Sequence, residues 1–124
     1  MAIYESGENY LEAILMLKNK TGGVRSIDVA NHLNFSKPSV SRAMGILRNS
    51  GYILIDAQGQ ITLTDLGLEK ASSVYERHTL LSDCLIRLGV SEQTAREDAC
   101  RIEHVISDET FERIKVHMKS KEAV

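Results

Sequence analysis

The spacing of apolar and polar positions in the first half of the chain predicts three helices. Apolar side chains recur at helical spacing from Tyr4 to Lys20, and the Thr-Gly-Gly run after Lys20 ends this helix. A short helix follows at residues 27–33, with Ser26 as its N-cap. After a tight connection, Ser36 caps a third helix, which ends near Asn49, just before a glycine.

The period of the pattern changes at residue 52. Two short β-prone runs, residues 52–55 and 60–64, flank a loop that contains Gly59, and this predicts a β-hairpin. Helical spacing returns over residues 65–88 and stops at a glycine. Two further helices are predicted, one capped by Ser91 and extending to about Ile106, and one opened by Ser107 and extending toward residue 118.

The order of helix, short helix, turn, helix and hairpin is typical of a winged helix-turn-helix. In the helix after Ser36, Val40, Met44 and Leu47 form an apolar stripe for the core. The opposite side and the N-terminal end carry small hydroxyl and basic residues that suit phosphates and base edges. The candidate DNA-binding residues are Ser36, Lys37, Pro38, Ser39, Ser41, Arg42 and Arg48.

Charge supports the DNA-binding interpretation locally and not globally. The 124 residues carry a formal net charge of −2, yet residues 34–51 contain three basic residues and no acidic one. A three-helix core without a nucleic-acid role is the alternative. Because turn, caps, wing and local charge agree, DNA binding is the better interpretation.

Composition excludes several classes of protein. Charged residues make up 26% and hydrophobic residues 43%, as in ordinary globular domains. No apolar run approaches the ~20 residues that span a bilayer, and the N-terminus lacks a secretory pattern. Two cysteines are too few for a disulfide scaffold, so we expect a protein of the reducing cytoplasm. Because no apolar run is long enough to span a bilayer, we expect no membrane partner.

Three potential metal ligands lie close together near the C-terminus. Cys100, Glu103 and His104 occupy positions i, i+3 and i+4, which share one face of a helix. Sulfur, oxygen and nitrogen donors together suit a divalent transition metal and not Ca²⁺ or Mg²⁺. Three ligands on one helix do not complete a site, and the polar face of an ordinary amphipathic helix is the alternative.

Other segments offer further ligands. Asn9 and Glu12 are one turn apart in the first helix, and His78 lies among apolar residues of the long central helix. Taken singly, Glu12 is typical of a solvated surface residue and His78 of a hydrogen-bonded histidine between helices. Together with the three C-terminal residues they would tie the first helix to the C-terminal helices.

Four segments resemble the metal-dependent repressors of the diphtheria-toxin-repressor and manganese-transport-regulator family. They are the Asn-Tyr-Leu-Glu run at 9–12, the recognition segment at 36–51, the Arg-His pair at 77–78 and the long run at 97–109. The resemblance implies a mostly α fold, with a winged helix-turn-helix DNA-binding domain at residues 1–70. An all-α dimerisation and metal-binding domain would follow at residues 71–124, and the length matches the two-domain branch.

The resemblance also implies the ligand set, which is Asn9, Glu12, His78, Cys100, Glu103 and His104. The chain mixes two patterns, because Cys100 is typical of iron-type members and Glu12 of manganese-type members. Asn9 matches neither branch and offers only a neutral carbonyl. Ser82 and Arg96 stand where iron-type members have ancillary ligands, so an ancillary site is not expected.

The implied function is metal-activated repression of metal-uptake genes by a homodimer bound to palindromic double-stranded operator DNA. A thiolate favours softer ions, so we expect Fe²⁺ over Mn²⁺, with Co²⁺, Ni²⁺ or Zn²⁺ able to substitute. One alternative is a metal-independent winged-helix regulator with a thiol redox sensor at Cys100. An enzyme using Cys100 and His104 is a weaker rival, because no orienting third group or oxyanion motif is evident.

Overall fold

The structure, a computed structural model, describes residues 5–122, with side chains described for residues 7–120. Within that range lie α1 (Glu5–Thr21), α2 (Ser26–Leu33), α3 (Lys37–Asn49), β1 (Ile53–Ile55), β2 (Ile61–Leu63), α4 (Asp65–Arg87), α5 (Glu92–Ile102) and α6 (Asp108–Glu122). The mostly α fold with a winged helix-turn-helix is confirmed. Tyr4, the predicted start of α1, lies outside the described residues. The chain divides into two compact units between Ser72 and Ser73, inside α4.

A hydrophobic core holds the helices and the wing of the first unit together. The α3 stripe predicted from the sequence is buried, with Val40, Met44 and Leu47 exposing 0%, 1% and 2% of their surface. Each such side chain stabilises the fold by about 1.5–3 kcal/mol relative to an exposed position. The other large buried contributors are Leu11, Ile14, Val24, Val29, Ile53 and Ile61.

Local capping sets both ends of α3. The Ser39 backbone N–H donates to Ser36 Oγ at 3.4 Å, so Ser36 is the N-cap, as predicted. At the other end Gly51 has φ of 86°, and its N–H donates to the carbonyl oxygen of Arg48 at 3.1 Å. The next N–H, of Tyr52, donates across the last turn at 3.0 Å, completing a Schellman motif.

The predicted N-cap of α2 is wrong. Ser26 is the first residue of the helix, and Arg25 is the N-cap. The reason is that Asp28 Oδ2 accepts a hydrogen bond from the Arg25 backbone N–H at 2.9 Å, which fixes the first turn one residue earlier.

The wing is a hairpin attached to the loop between α1 and α2. Its strands pair antiparallel with Ile53 opposite Leu63 and Ile55 opposite Ile61, and they are shorter than the predicted runs. The Ile61 N–H also donates to the Val24 carbonyl oxygen at 2.7 Å, and the Val24 N–H donates to Gln60 Oε1 at 3.1 Å. The wing is therefore held by one main-chain and one side-chain hydrogen bond beyond its own strands.

The first turn of α4 packs closely against the connection between α3 and β1. Thr64 Oγ1 donates to the Gly51 carbonyl oxygen at 2.6 Å and accepts from the Gly67 N–H at 3.1 Å. A Cβ added to Gly67 would lie 1.9 Å from the Tyr52 carbonyl oxygen. Only glycine fits at this position, because the obstructing atom belongs to the main chain.

The second unit consists of the C-terminal part of α4 with α5 and α6. Ser91 and Ser107 cap α5 and α6 through hydrogen bonds of 3.4 and 3.1 Å from backbone N–H groups, as predicted. The predicted extension of α5 to Ile106 is wrong, because the helix ends at Ile102. Among residues 5–122, no helix combines the length and apolar character needed to cross a bilayer. The buried apolar residues of this unit are Val74, Leu81, Ala95, Ala99, Phe111 and Met118.

We predict that Gly67→Ala lowers the free energy of unfolding of the chain by about 1–3 kcal/mol, because the added methyl group overlaps a main-chain oxygen. Gly45→Ala is the matched control. Gly45 lies inside α3 with nothing within 4 Å of an added Cβ, so alanine there should stabilise by about 0.5–1 kcal/mol. Urea unfolding followed by circular dichroism measures both, and equal effects of the two substitutions would contradict the prediction.

Candidate metal centre and nucleic-acid interface

Three potential ligand atoms converge at the end of α5. The Cys100 thiol, the Glu103 carboxylate and the His104 ring each offer one ligand atom, and these atoms lie within 4.8 Å of one another. Cys100 is in the last turn of the helix and is half-buried. The predicted gathering of these three side chains is thus found in the structure.

The backbone that gathers them differs from the single helix that was expected. Glu103 is the C-cap of α5, with φ −58° and ψ −24°, and its N–H donates to the Ala99 carbonyl oxygen at 2.9 Å. His104 lies in the turn that follows. Because Glu103 keeps helical dihedral angles, its side chain leaves the backbone in nearly the direction expected for position i+3.

Glu103 is the buried centre of this cluster. Its side chain is fully buried, with Oε2 2.9 Å from His78 Nδ1. The other oxygen, Oε1, is 3.3 Å from His104 Nε2 but makes no hydrogen bond within the described residues. A buried carboxylate is costly unless positive charge or hydrogen bonds compensate it. The site thus has an acidic oxygen that is only partly satisfied by its protein neighbours.

The donor set fits a divalent transition metal. Thiolate sulfur, imidazole nitrogen and carboxylate oxygen are ligands of Fe²⁺, Co²⁺ and Zn²⁺, whereas Ca²⁺ and Mg²⁺ take oxygen almost exclusively. The orphaned Oε1 of Glu103 is the kind of atom that a cation satisfies. His78 is brought to the cluster by α4 through its contact with Glu103.

The two N-terminal candidates lie one turn apart on α1, in the first unit. Asn9 is half-buried, and Glu12 is 9% exposed, which is low for a carboxylate and argues against an ordinary surface residue. Their assignment as ligands stays a prediction. At the ancillary positions, Ser82 is buried, whereas Arg96 is exposed and donates to Glu92 Oε1 at 3.1 Å.

The candidate DNA-binding residues lie on the outer side of α3 and at its N-terminus. All are exposed except Ser39, which is half-buried. Ser36 Oγ and Ser39 Oγ lie 2.8 Å apart in a hydrogen bond, so part of their capacity stabilises the helix start. The exposed N-terminal turn contains no acidic residue, which leaves the positive end of the helix dipole available to phosphate.

Arg77 is a residue of this region whose contacts the sequence did not reveal. Its guanidinium group donates to the carbonyl oxygens of Glu103 and Ile106 and pairs with Asp108. The available signal was its position beside His78 together with an aspartate at the start of α6.

Comparison with known proteins gives a consistent assignment for both units. Residues 2–59 match the model "Iron dependent repressor, N-terminal DNA binding domain". Residues 64–122 match the model "Iron dependent repressor, metal binding and dimerisation domain".

Individual relatives agree with the family models. An uncharacterised HTH-type transcriptional regulator of Methanocaldococcus jannaschii is 35% identical over 93% of this chain and 94% of its own length. The transcriptional regulator MntR of Escherichia coli is 33% identical over 88% of this chain and 70% of its own length. The structure of the manganese regulator SloR matches with a TM-score of 0.82 and 28% identity over 96% of this chain.

This chain spans about half of the SloR chain, 55% of its length, and most of the two sequence relatives. The matches to both family models and to a full-length relative above 30% identity cover the DNA-binding and the metal-binding parts alike. The chain therefore belongs to the iron-dependent repressor family, whose members are metal-dependent, DNA-binding transcriptional regulators and not enzymes.

Proposed function

We propose that this chain is a metal-activated repressor in which a divalent cation is held by Cys100, Glu103, His104 and His78. The observation that carries the proposal is the convergence of these donors on one fully buried carboxylate. A bound cation would satisfy Glu103 Oε1, which makes no hydrogen bond among the described residues. By thermodynamic reciprocity, a metal that raises DNA affinity is itself bound more tightly when DNA is present.

The resemblance assigns two more ligands, Asn9 and Glu12, and we retain both in the proposed set. The low exposure of Glu12 supports its inclusion. Asn9 would contribute a neutral carbonyl oxygen. We also retain the boundary proposed between residues 70 and 71. The division of the structure between Ser72 and Ser73 lies close to it, whereas the second family model already begins at residue 64.

The metal-independent thiol sensor is not favoured. Cys100 is half-buried, and its thiol lies in one cluster with the Glu103 carboxylate and the His104 ring. The same neighbours favour a shared cation, and the match to a metal-binding domain over residues 64–122 points the same way.

We propose that the chain acts in the cytoplasm as a homodimer on a palindromic operator that controls metal-uptake genes. The match to a dimerisation domain supports two recognition helices per assembly. Two-fold symmetry then requires half-sites about one DNA turn apart, roughly 34 Å. The residues of α3 and its N-cap proposed to contact that DNA are Ser36, Lys37, Pro38, Ser39, Ser41, Arg42 and Arg48.

For the physiological metal we propose Fe²⁺ ahead of Mn²⁺. Cys100 supports this order, because a thiolate suits Fe²⁺ better than Mn²⁺, which prefers oxygen. SloR, a structural relative, is a manganese regulator, so the likeness to SloR does not favour Fe²⁺. The proposed preference for Fe²⁺ therefore depends on Cys100.

Glu103→Ala should abolish metal-dependent DNA binding, because it removes a carboxylate that contacts both His78 and His104. The measurement is fluorescence anisotropy with a duplex selected from a random library by the metal-loaded chain, with and without chelator. Glu97→Ala, an exposed glutamate on the same helix, is the matched control and should behave like the unaltered chain. Metal-dependent binding by the Glu103 variant would show that the proposed site is wrong.

Under anaerobic, reducing conditions, Fe²⁺ should activate DNA binding at a lower free concentration than Mn²⁺. Cys100→Glu should reduce or reverse this order, because it replaces the soft donor with oxygen. Anisotropy titrations at buffered free metal concentrations measure the order for both chains. Activation of the unaltered chain by Mn²⁺ alone would contradict the preference for Fe²⁺ and leave the metal site itself in place.

Arg42→Ala should weaken binding to the selected duplex by about 1–3 kcal/mol, or roughly 5- to 150-fold, because it deletes an exposed cation on α3. Arg113→Ala makes the same charge change on α6 and should leave the affinity nearly unchanged. Equal losses for both variants would indicate that only net charge matters and that α3 is not the recognition element.

A further inference from the structure

We infer that Arg77 is a positioning residue for the metal centre, holding the main chain of the segment from Glu103 to Asp108 so that the Glu103 and His104 side chains meet. The inference rests on the proposed metal-binding function and adds a residue outside the proposed ligand set. Arg77 touches the ligand-bearing segment and is not itself a ligand.

The contacts of Arg77 reach both ends of this segment. Nη1 donates to the Glu103 carbonyl oxygen at 3.3 Å and to the Ile106 carbonyl oxygen at 3.0 Å. Nη2 pairs with Asp108 Oδ1 at the start of α6. The guanidinium carbon lies 5.2 Å from the centre of the Phe111 ring, within the range of a cation–π contact.

The segment needs such support because it lies between two helices. α5 ends at Ile102 and α6 begins at Asp108, so no continuous helical ladder fixes the residues between them. Carbonyl oxygens at a helix end require partners outside the helix. A planar guanidinium with several donors can serve two carbonyl oxygens and a carboxylate together, which the single ammonium of lysine does not match.

Arg77 and His78 together fix Glu103 at two points. The Arg77 side chain bonds to the main-chain oxygen of Glu103, and the neighbouring His78 ring lies 2.9 Å from its carboxylate. Both come from adjacent positions of α4. The backbone and the side chain of one ligand are therefore positioned by the same helical turn.

The carbonyl contacts, and not the ion pair, should carry most of the effect. The Asp108 side chain is 92% exposed, and exposed ion pairs contribute little because water screens them. The Arg77 side chain is only 17% exposed where it reaches the carbonyl oxygens. Loss of outer-shell partners that orient metal ligands typically reduces metal affinity 10- to 100-fold.

The test is titration with Co²⁺ alone, under anaerobic conditions, of the full chain and of Arg77→Met, following the thiolate-to-cobalt absorption band. Circular dichroism of the metal-free proteins reports the fold separately. We expect the variant to keep its helical content and to bind Co²⁺ at least tenfold more weakly. Arg113→Met, an exposed arginine on α6, is the matched control and should retain the affinity of the unaltered chain.

A second variant, Arg77→Lys, keeps the positive charge near Phe111 but loses the planar guanidinium with its several N–H donors. We therefore expect a folded protein with intermediate Co²⁺ affinity. Asp108→Asn should change the affinity less than threefold. Unaltered Co²⁺ affinity in Arg77→Met would overturn the inference. Loss of the metal-free fold in both Arg77 variants would also overturn it, because the residue would then be purely structural. Failure of the unaltered chain to bind Co²⁺ would instead overturn the proposed function.

Discussion

The buried carboxylate of Glu103 is the constraint around which the second unit is organised. Its side chain is fully buried, with Oε2 2.9 Å from a ring nitrogen of His78 and Oε1 3.3 Å from a ring nitrogen of His104. Oε1 makes no hydrogen bond among the described residues, and a buried carboxylate oxygen left unsatisfied costs folding free energy. A folded chain tolerates that cost more easily if a cation is part of the functional state.

The support for this carboxylate comes from the main chain as much as from side chains. α5 stops just before Glu103, and the turn that follows is tied to α4 through Arg77 and His78. The proposed ligands Glu103 and His104 are thus positioned at a helix end, where residues can depart from helical periodicity.

Periodicity and capping signals were enough to predict the fold class, the buried stripe of α3 and the caps at Ser36, Ser91 and Ser107. They failed at two helix ends, one set by a side chain three residues away and the other held by a distant arginine. The Asp28 carboxylate moved the start of α2, and α5 ended at Ile102 in a turn held by α4. The i, i+3 and i+4 spacing was enough to predict that Cys100, Glu103 and His104 lie close together. It could not predict the role of Arg77, whose partners lie 26 to 31 residues away.

The hydrogen bonds that join Val24 to Gln60 and Ile61 have a consequence for DNA binding by this unit. Because Ile61 and Gln60 both bond to Val24, the wing shares a main-chain connection with the loop that introduces α2. A hairpin of two three-residue strands is marginal in water when isolated. Here the hydrogen bonds to Val24 attach the hairpin to the three-helix core. The wing and the helix-turn-helix therefore present a preorganised surface, and little conformational entropy remains to be lost when a duplex is bound.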